Sequence, residues 1–469
     1  MADSEECLTA IVIGAGNRGK DVYGQYALDH PHELKIIAVA EPHPIRRKIF
    51  AQAHAIPSTH QFRTWEEGLK SKLADAAIIC TQDQMHTAPT LQALALGYQV
   101  LLEKPMATQP EECIQLVQKS DEVKSQLCIA QVLRYAPFFK KIHEIIQLGK
   151  IGDIITIDHC ENVSYWHMSH SFVRGNWANL SKSSPMILTK SVHDLDLLYW
   201  IAGSFPKSIS SFGSLKHFKE EKAPHGATKR CLDGCSVANC CEYFAPRIYI
   251  DIVPLLRIAQ EAGSGYVKFI ANIAINHPQL FKKLKSLPLF RKVYEYQGWP
   301  VSTITENLSL EGKWDALQTG PYGRCVYFAG NDVVDHQVTI IEFQNGVTAT
   351  FTMHGCSHLE GRTIRIDGTK GTLIGEFLTT KEKIVLYDHL KETEEIIMDQ
   401  KTLLNAGSGH GGGDPRLIRS FIKSIQFGLE EPLTSARSSL ESHMMAFAAE
   451  EARLTSKVIQ MKEFKRRFH

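Results

Sequence analysis

The sequence predicts a doubly wound, parallel α/β sheet followed by an α+β domain, and three observations predict it. Strand-like runs alternate with helix-like runs over the first third of the chain. A Gly14-x-Gly16-x-x-Gly19 turn follows the first of those strands. Beyond residue 134 the alternation gives way to hairpin-signalled strands and then, from Pro415, to helices. At 469 residues the chain is too long for one ordinary core, so it divides into residues 1–133 and 134–469.

The first strand, Leu8 to Ile13, opens into Gly14-Ala15-Gly16-Asn17-Arg18-Gly19. In that position each glycine has a reason. The first permits a tight turn, the second lets backbone approach a pyrophosphate, and the third lets the next helix pack closely. The helix N-terminus then offers unpaired N–H groups to phosphate. The second strand, "LKIIAVAE", ends at Glu41, near the offset of about 20 residues expected for a ribose-binding acid. A carboxylate there repels a 2′-phosphate and favours NAD. Arg46 and Arg47 leave NADP open, although both read as solvated residues of the next helix.

A third strand, Asp75 to Thr81, precedes "QDQMH" and a helix. A fourth, Gln99 to Glu103, runs into Lys104 and Pro105, and "QLCIAQVL" supplies another. Doubly wound sheets bind ligands beyond the carboxyl ends of their strands. Gly14, Glu41, Thr81 and Lys104 all lie at such ends, so Lys104 is expected at the ligand crevice.

Composition excludes several classes. The net charge is +1 and the pI about 7.6, which advertises no nucleic-acid partner. No run of apolar residues is long enough to span a membrane. The acidic start lacks the basic region and apolar core of a signal peptide, and the eleven cysteines read as reduced thiols, giving a cytoplasmic expectation. Cys231, Cys235, Cys240 and Cys241 do not follow a common zinc spacing, so no metal is assigned to them.

In the second domain, Asn345-Gly346 marks a hairpin between β-rich arms, and "HDLDLLYWIAG" reads as a helix closed by Gly203. "GSGHGGGDP" brings His410 and Asp414 as polar groups on a flexible loop, or else serves as a helix start capped by Asp414. Residues 251–296 read as an apolar, basic, amphipathic insertion. Packing on the second domain or a neighbouring subunit is its expected role, with a membrane-surface or partner helix as the alternative.

With "GAGNRG", "AVAEP", Thr81 through His86, "EKP" at Glu103 to Pro105, "RYAP" at Arg134 to Pro137, and His193-Asp194-Leu195-Asp196 in hand, the chain resembles the Gfo/Idh/MocA oxidoreductases. The resemblance implies that a large, mostly antiparallel sheet carries the substrate site. It implies a sugar, cyclitol or related polyol as substrate; a homo-oligomer is a separate expectation. It also gives Lys104 the role of binding substrate and cofactor, and His193 that of acid/base. The expected cofactor contacts are Gly14, Gly16, Asn17, Arg18, Gly19, Glu41, Thr81, His86, Glu103 and Lys104. Arg134, Tyr135, Lys190 and Asp196 are the expected substrate contacts.

Two departures stand out. Family dehydrogenases often carry an aspartate four residues before the histidine, where this chain has Thr189, and Lys190 follows on a neighbouring part of the face. An ammonium there lowers the basicity of His193. Gln82 replaces a frequent proline. The leading expectation is therefore hydride transfer between NAD and a polyol. The alternatives are an NAD-dependent glycosidase working by transient oxidation and elimination, and a catalytically silent nucleotide or sugar sensor.

Overall fold

The computed structural model describes residues 7–284, 286–401, 410–428 and 432–468. The aliphatic run Leu8–Ile13 forms β1 at the middle of a six-stranded parallel sheet, buried on both faces as such strands must be. It is joined by β2 (Leu34–Ala40), β3 (Gln61–Phe62), β4 (Ala76–Ile79), β5 (Gln99–Leu102) and β6 (Leu127–Ile129). Their spatial order is β3-β2-β1-β4-β5-β6. The order reverses between β1 and β4, which opens a crevice over the carboxyl ends of those strands.

The fingerprint turn is built as its glycines require. Gly14 has φ +94°, a conformation that side chains rarely adopt. A Cβ on Gly19 would stand 2.0 Å from the Gly14 carbonyl oxygen. Around Gly16, by contrast, nothing lies within 4 Å of where a Cβ would be, so the space above the turn is open. Gly19→Ala is expected to lower stability by about 1–3 kcal/mol through overpacking and to weaken NAD binding. A melting curve and an NAD titration check the two effects.

Among the described residues the second domain folds around nine strands in the order β14-β13-β12-β11-β7-β10-β9-β8-β15. These are β7 (Ile154–Ser164), β8 (Pro206–Ser214), β9 (His336–Phe343), β10 (Thr348–Ser357), β11 (Gly361–Gly368), β12 (Gly371–Leu378), β13 (Lys381–Asp388), β14 (Thr393–Lys401) and β15 (Ile459–Gln460). Among the described residues of this sheet, only β7 and β10 pair in parallel. The sheet is the large, mostly antiparallel one expected, and Asn345-Gly346 turns β9 into β10.

One sheet face packs on helices through Ile341, Ala349, Phe351 and Ile366. On the other, cross-strand partners Phe212 and Val338 are exposed, with Ile340 two residues along. The helices Gly413–Gln426 and Ala436–Thr455 return to the first domain. Leu417, Ile418 and Phe421 enter its core beside Val12 and Tyr26, and the backbone N–H of Ile129 in β6 donates to the Thr434 carbonyl at 2.8 Å. The insertion forms the helices Val253–Ala262, Gly265–Asn276, Pro278–Leu284 and Pro288–Tyr294 around its own core of Ile252, Leu256, Ile270, Phe281 and Phe290.

Candidate active site

Lys104 leaves β5 at the crevice, and its ammonium donates to the Thr189 carbonyl at 2.6 Å. Burial pushes its pKa down to about 8, against the pull of Asp83 and Glu103. The Thr189 hydroxyl in turn donates to Asp83 at 2.7 Å. Asp83 also accepts from Ser184 at 3.1 Å and from the Trp177 indole at 3.2 Å. Asp83, in the turn after β4, thus brings a carboxylate's charge to the lysine. Thr189 links the two.

His193 lies in the first turn of the helix Val192–Ala202. Its Nδ1 is 2.8 Å from Gln131 Oε1, an acceptor that puts the hydrogen on Nδ1 and leaves a lone pair on Nε2. Among the described residues Nε2 is buried without a hydrogen-bond partner. Burial first, then the neighbouring Lys104 and His410, hold the imidazole well below its ordinary basicity. Lys190 contributes to the same shift, as its position suggests, but is the last of those influences.

A second imidazole stands beside the first, with the His410 and His193 ring centroids 5.5 Å apart. His410 Nδ1 is 3.0 Å from Asp414. Asp414 also accepts from Arg18 at 2.7 Å, while Arg18 Nε reaches Glu103 at 2.5 Å. Burial alone would raise the Asp414 carboxyl, yet Arg18 and His410 hold it well below the usual range. Tyr23 completes the chain with a 2.7 Å hydrogen bond to Glu103. Arg18 and Glu103 are therefore brought together with the glycine loop's histidine. Gly407 to Gly409 of that loop lie outside the described residues.

Below the crevice a buried ionic group joins β7, β11 and the His193 helix. Arg362 sits between Asp194, at 2.8 Å, and Glu161, and His159 Nε2 is 2.7 Å from Asp194. Lys190 reaches Glu161 at 3.3 Å. Burial drives Glu161 up to about 7 despite Arg362, whereas Arg362 and His159 overcome burial at Asp194 and hold it down.

The other expected residues are placed as follows. Glu41 is buried at the end of β2, accepting from the backbone N–H of Ala15 and of His43, each at 2.8 Å. Arg46 pairs with Glu306, and Arg47 donates to the Glu41 carbonyl. Asn17 donates to Asp21 on the surface. Thr81 donates to the Met85 carbonyl, and the buried His86 is held between the carbonyls of Pro105 and Thr81. His86 acts as a strut between two crevice loops.

Arg134, Tyr135 and Asp196 are not brought to the crevice surface. Arg134 holds Asp196 in a buried bidentate pair at 2.6 and 2.7 Å, and the buried Tyr135 hydroxyl meets Thr434 at 3.3 Å. Their polar groups are occupied by one another and by the returning tail. Reading the sequence missed Asp83, Gln131, Asp194, Glu161 and Arg362. Asp83 and Asp194 carried a signal, each lying inside a motif of the family resemblance, and Gln131 lay in the strand run "QLCIAQVL".

Among the described residues no group of three or more His, Cys, Asp or Glu is placed to hold a metal ion. Gly14, Gly16, Gly19 and Glu41 fit a dinucleotide: the open space over Gly16 is available to its phosphates, and Glu41 would be the group to meet its ribose.

A model described as "oxidoreductase family, NAD-binding Rossmann fold" matches residues 8–131. Its companion, the family's C-terminal α/β domain, matches residues 143–244 and 301–461 and passes over the insertion. The putative oxidoreductase YteT of Bacillus subtilis is 23% identical over 80% of this chain and 78% of its own length. Inositol 2-dehydrogenase of Corynebacterium glutamicum is 24% identical over 46% of this chain and 60% of its own. The 2,7-anhydro-N-acetylneuraminate hydratase of Escherichia coli is 24% identical over 31% of this chain and 38% of its own. Among solved structures, an Agrobacterium radiobacter oxidoreductase in complex with NAD+, L-tartaric acid and magnesium superposes with a TM-score of 0.64. It is 14% identical, covering 97% of this chain and 99% of that one.

Proposed function

The chain belongs to the Gfo/Idh/MocA family of NAD-binding oxidoreductases, and from that premise we propose that it transfers a hydride between NAD and a CH–OH group of a sugar, cyclitol or related polyol. One observation carries the reading: the Lys104 ammonium and the partnerless Nε2 of His193 share one buried crevice. When bound, the nicotinamide supplies the hydride acceptor or donor. His193 Nε2 takes the substrate's hydroxyl proton, its lone pair kept free because Gln131 engages the other nitrogen. Lys104 donates to the oxygen as charge develops on it. Gly14, Gly16, Gly19 and Glu41 hold the dinucleotide, with Glu41 favouring NAD over NADP. The inositol dehydrogenase relative supports a polyol substrate. The exposed Phe212, Val338 and Ile340 on one sheet face support a homo-oligomer.

The test is NADH formation by the purified protein with NAD and a panel of sugars, cyclitols and glycosides. Turnover lost in His193→Ala by about 10²–10⁴-fold is the expected result. NAD binding with no turnover of any compound would favour a sensor.

A second reading is favoured by His410. Asp414 fixes its Nδ1, which leaves Nε2 as another base beside His193. Transient oxidation followed by proton abstraction next to the new carbonyl and expulsion of a leaving group needs such a second base. The hydratase relative supports this route. Product release with no net NADH, abolished in His410→Ala, is the outcome it expects.

A further inference from the structure

We propose that the inserted helical unit docks on an anionic lipid surface. It lies in the stretch that the family's domain models pass over, so the shared catalytic frame does not account for it. The unit has its own core, and the side chains left outside that core are unusual. Tyr266 and Phe269 are more than half exposed, and Leu280, Leu287 and Leu289 are exposed as well. Tyr266 through Phe269 are exposed without interruption, so the first turn of the helix Gly265–Asn276 stands clear of the body.

Charge identifies the partner. Between Glu261 and Glu295 the sequence has no acidic residue, but it has Lys268, Lys282, Lys283, Lys285, Arg291 and Lys292. Lys268, Lys283, Arg291 and Lys292 are exposed on the same unit as the apolar side chains. Large apolar groups interspersed with cations match a surface that offers both acyl chains and negative headgroups. A second copy fits poorly, because a two-fold contact would set these cations against one another. No helix among the described residues is long and apolar enough to cross a membrane, so the contact is interfacial.

The experiment is co-sedimentation of the full-length protein with vesicles of phosphatidylcholine, with and without phosphatidylserine. Binding is expected only when phosphatidylserine is present, and it should weaken as salt rises. Lys268→Gln should reduce the partition coefficient about 5-fold, and Phe269→Ser about tenfold. Both side chains are exposed, so both variants should keep the parent's melting curve and NAD affinity. No sedimentation with phosphatidylserine overturns the proposal, as does equal sedimentation of parent and variants. A solution dimer that Phe269→Ser dissociates would give the surface to a second copy and overturn it too.

Discussion

Lys104→Ala is expected to lower kcat/KM by about 10²–10³-fold, the scale of losing one preorganised donor to a developing oxyanion. NAD affinity should change far less, because the glycine turn and Glu41 remain in place. The pH profile of kcat/KM reports groups of the free enzyme. His193 is held well below its ordinary basicity, so it stays neutral and competent across the neutral range. Lys104 must be protonated to donate, and that form is lost as pH rises through about 8. The profile is therefore expected to be flat through neutrality and to fall near pH 8. A profile that instead rises through that value would make the neutral amine the base and displace His193 from the role.

Arg362→Met should have the largest effect on stability. The guanidinium lies between Asp194 and Glu161, all three buried, and its removal leaves two carboxyls without their main counter-charge. Breaking a buried pair from one side costs about 3–5 kcal/mol. The sign with pH follows from Asp194. Its folded pKa is depressed, so it contributes stability above the unfolded value, and this is lost as pH falls. Glu161, pushed up to about 7, contributes with the opposite sign. In the variant Asp194 loses most of its depression, so the melting temperatures of variant and parent should differ most near neutrality and converge on acidification. A gap that does not depend on pH would mean that Arg362 acts by packing alone.

What the sequence made legible was local. The glycine turn, the strand ends carrying Glu41 and Lys104, and the helix carrying His193 each announce themselves within a dozen residues. Their partners do not. Thr189 meets Asp83 across 106 positions, Arg362 meets Asp194 across 168, and Arg18 meets Asp414 across 396. No spacing rule connects residues that far apart. Sidedness was equally hidden. Arg134 and Asp196 belong to recognisable motifs, and their place near the crevice made them plausible hydroxyl binders. The turn Val132–Tyr135 and the helix Val192–Ala202 instead direct them into the protein, where they neutralise each other. Residues 251–296 were legible as an insertion because they exceed the core that the family resemblance implies, and their apolar, basic pattern reads as amphipathic helix. That they form a unit with a core of its own required the fold.

The return of the last helices to the first domain has a consequence for biosynthesis. The outer edge of β6 is covered by residues near Thr434, which lies 306 positions after Cys128 of that strand. At about 5–20 residues per second, a ribosome takes roughly 15–60 s to supply them. Throughout that interval the nascent parallel sheet carries an open strand edge and a bare apolar patch where Leu417 and Phe421 will sit. The first domain is thus the first to be made and among the last to be finished, its strand edge and apolar patch staying open until the returning helices are synthesised.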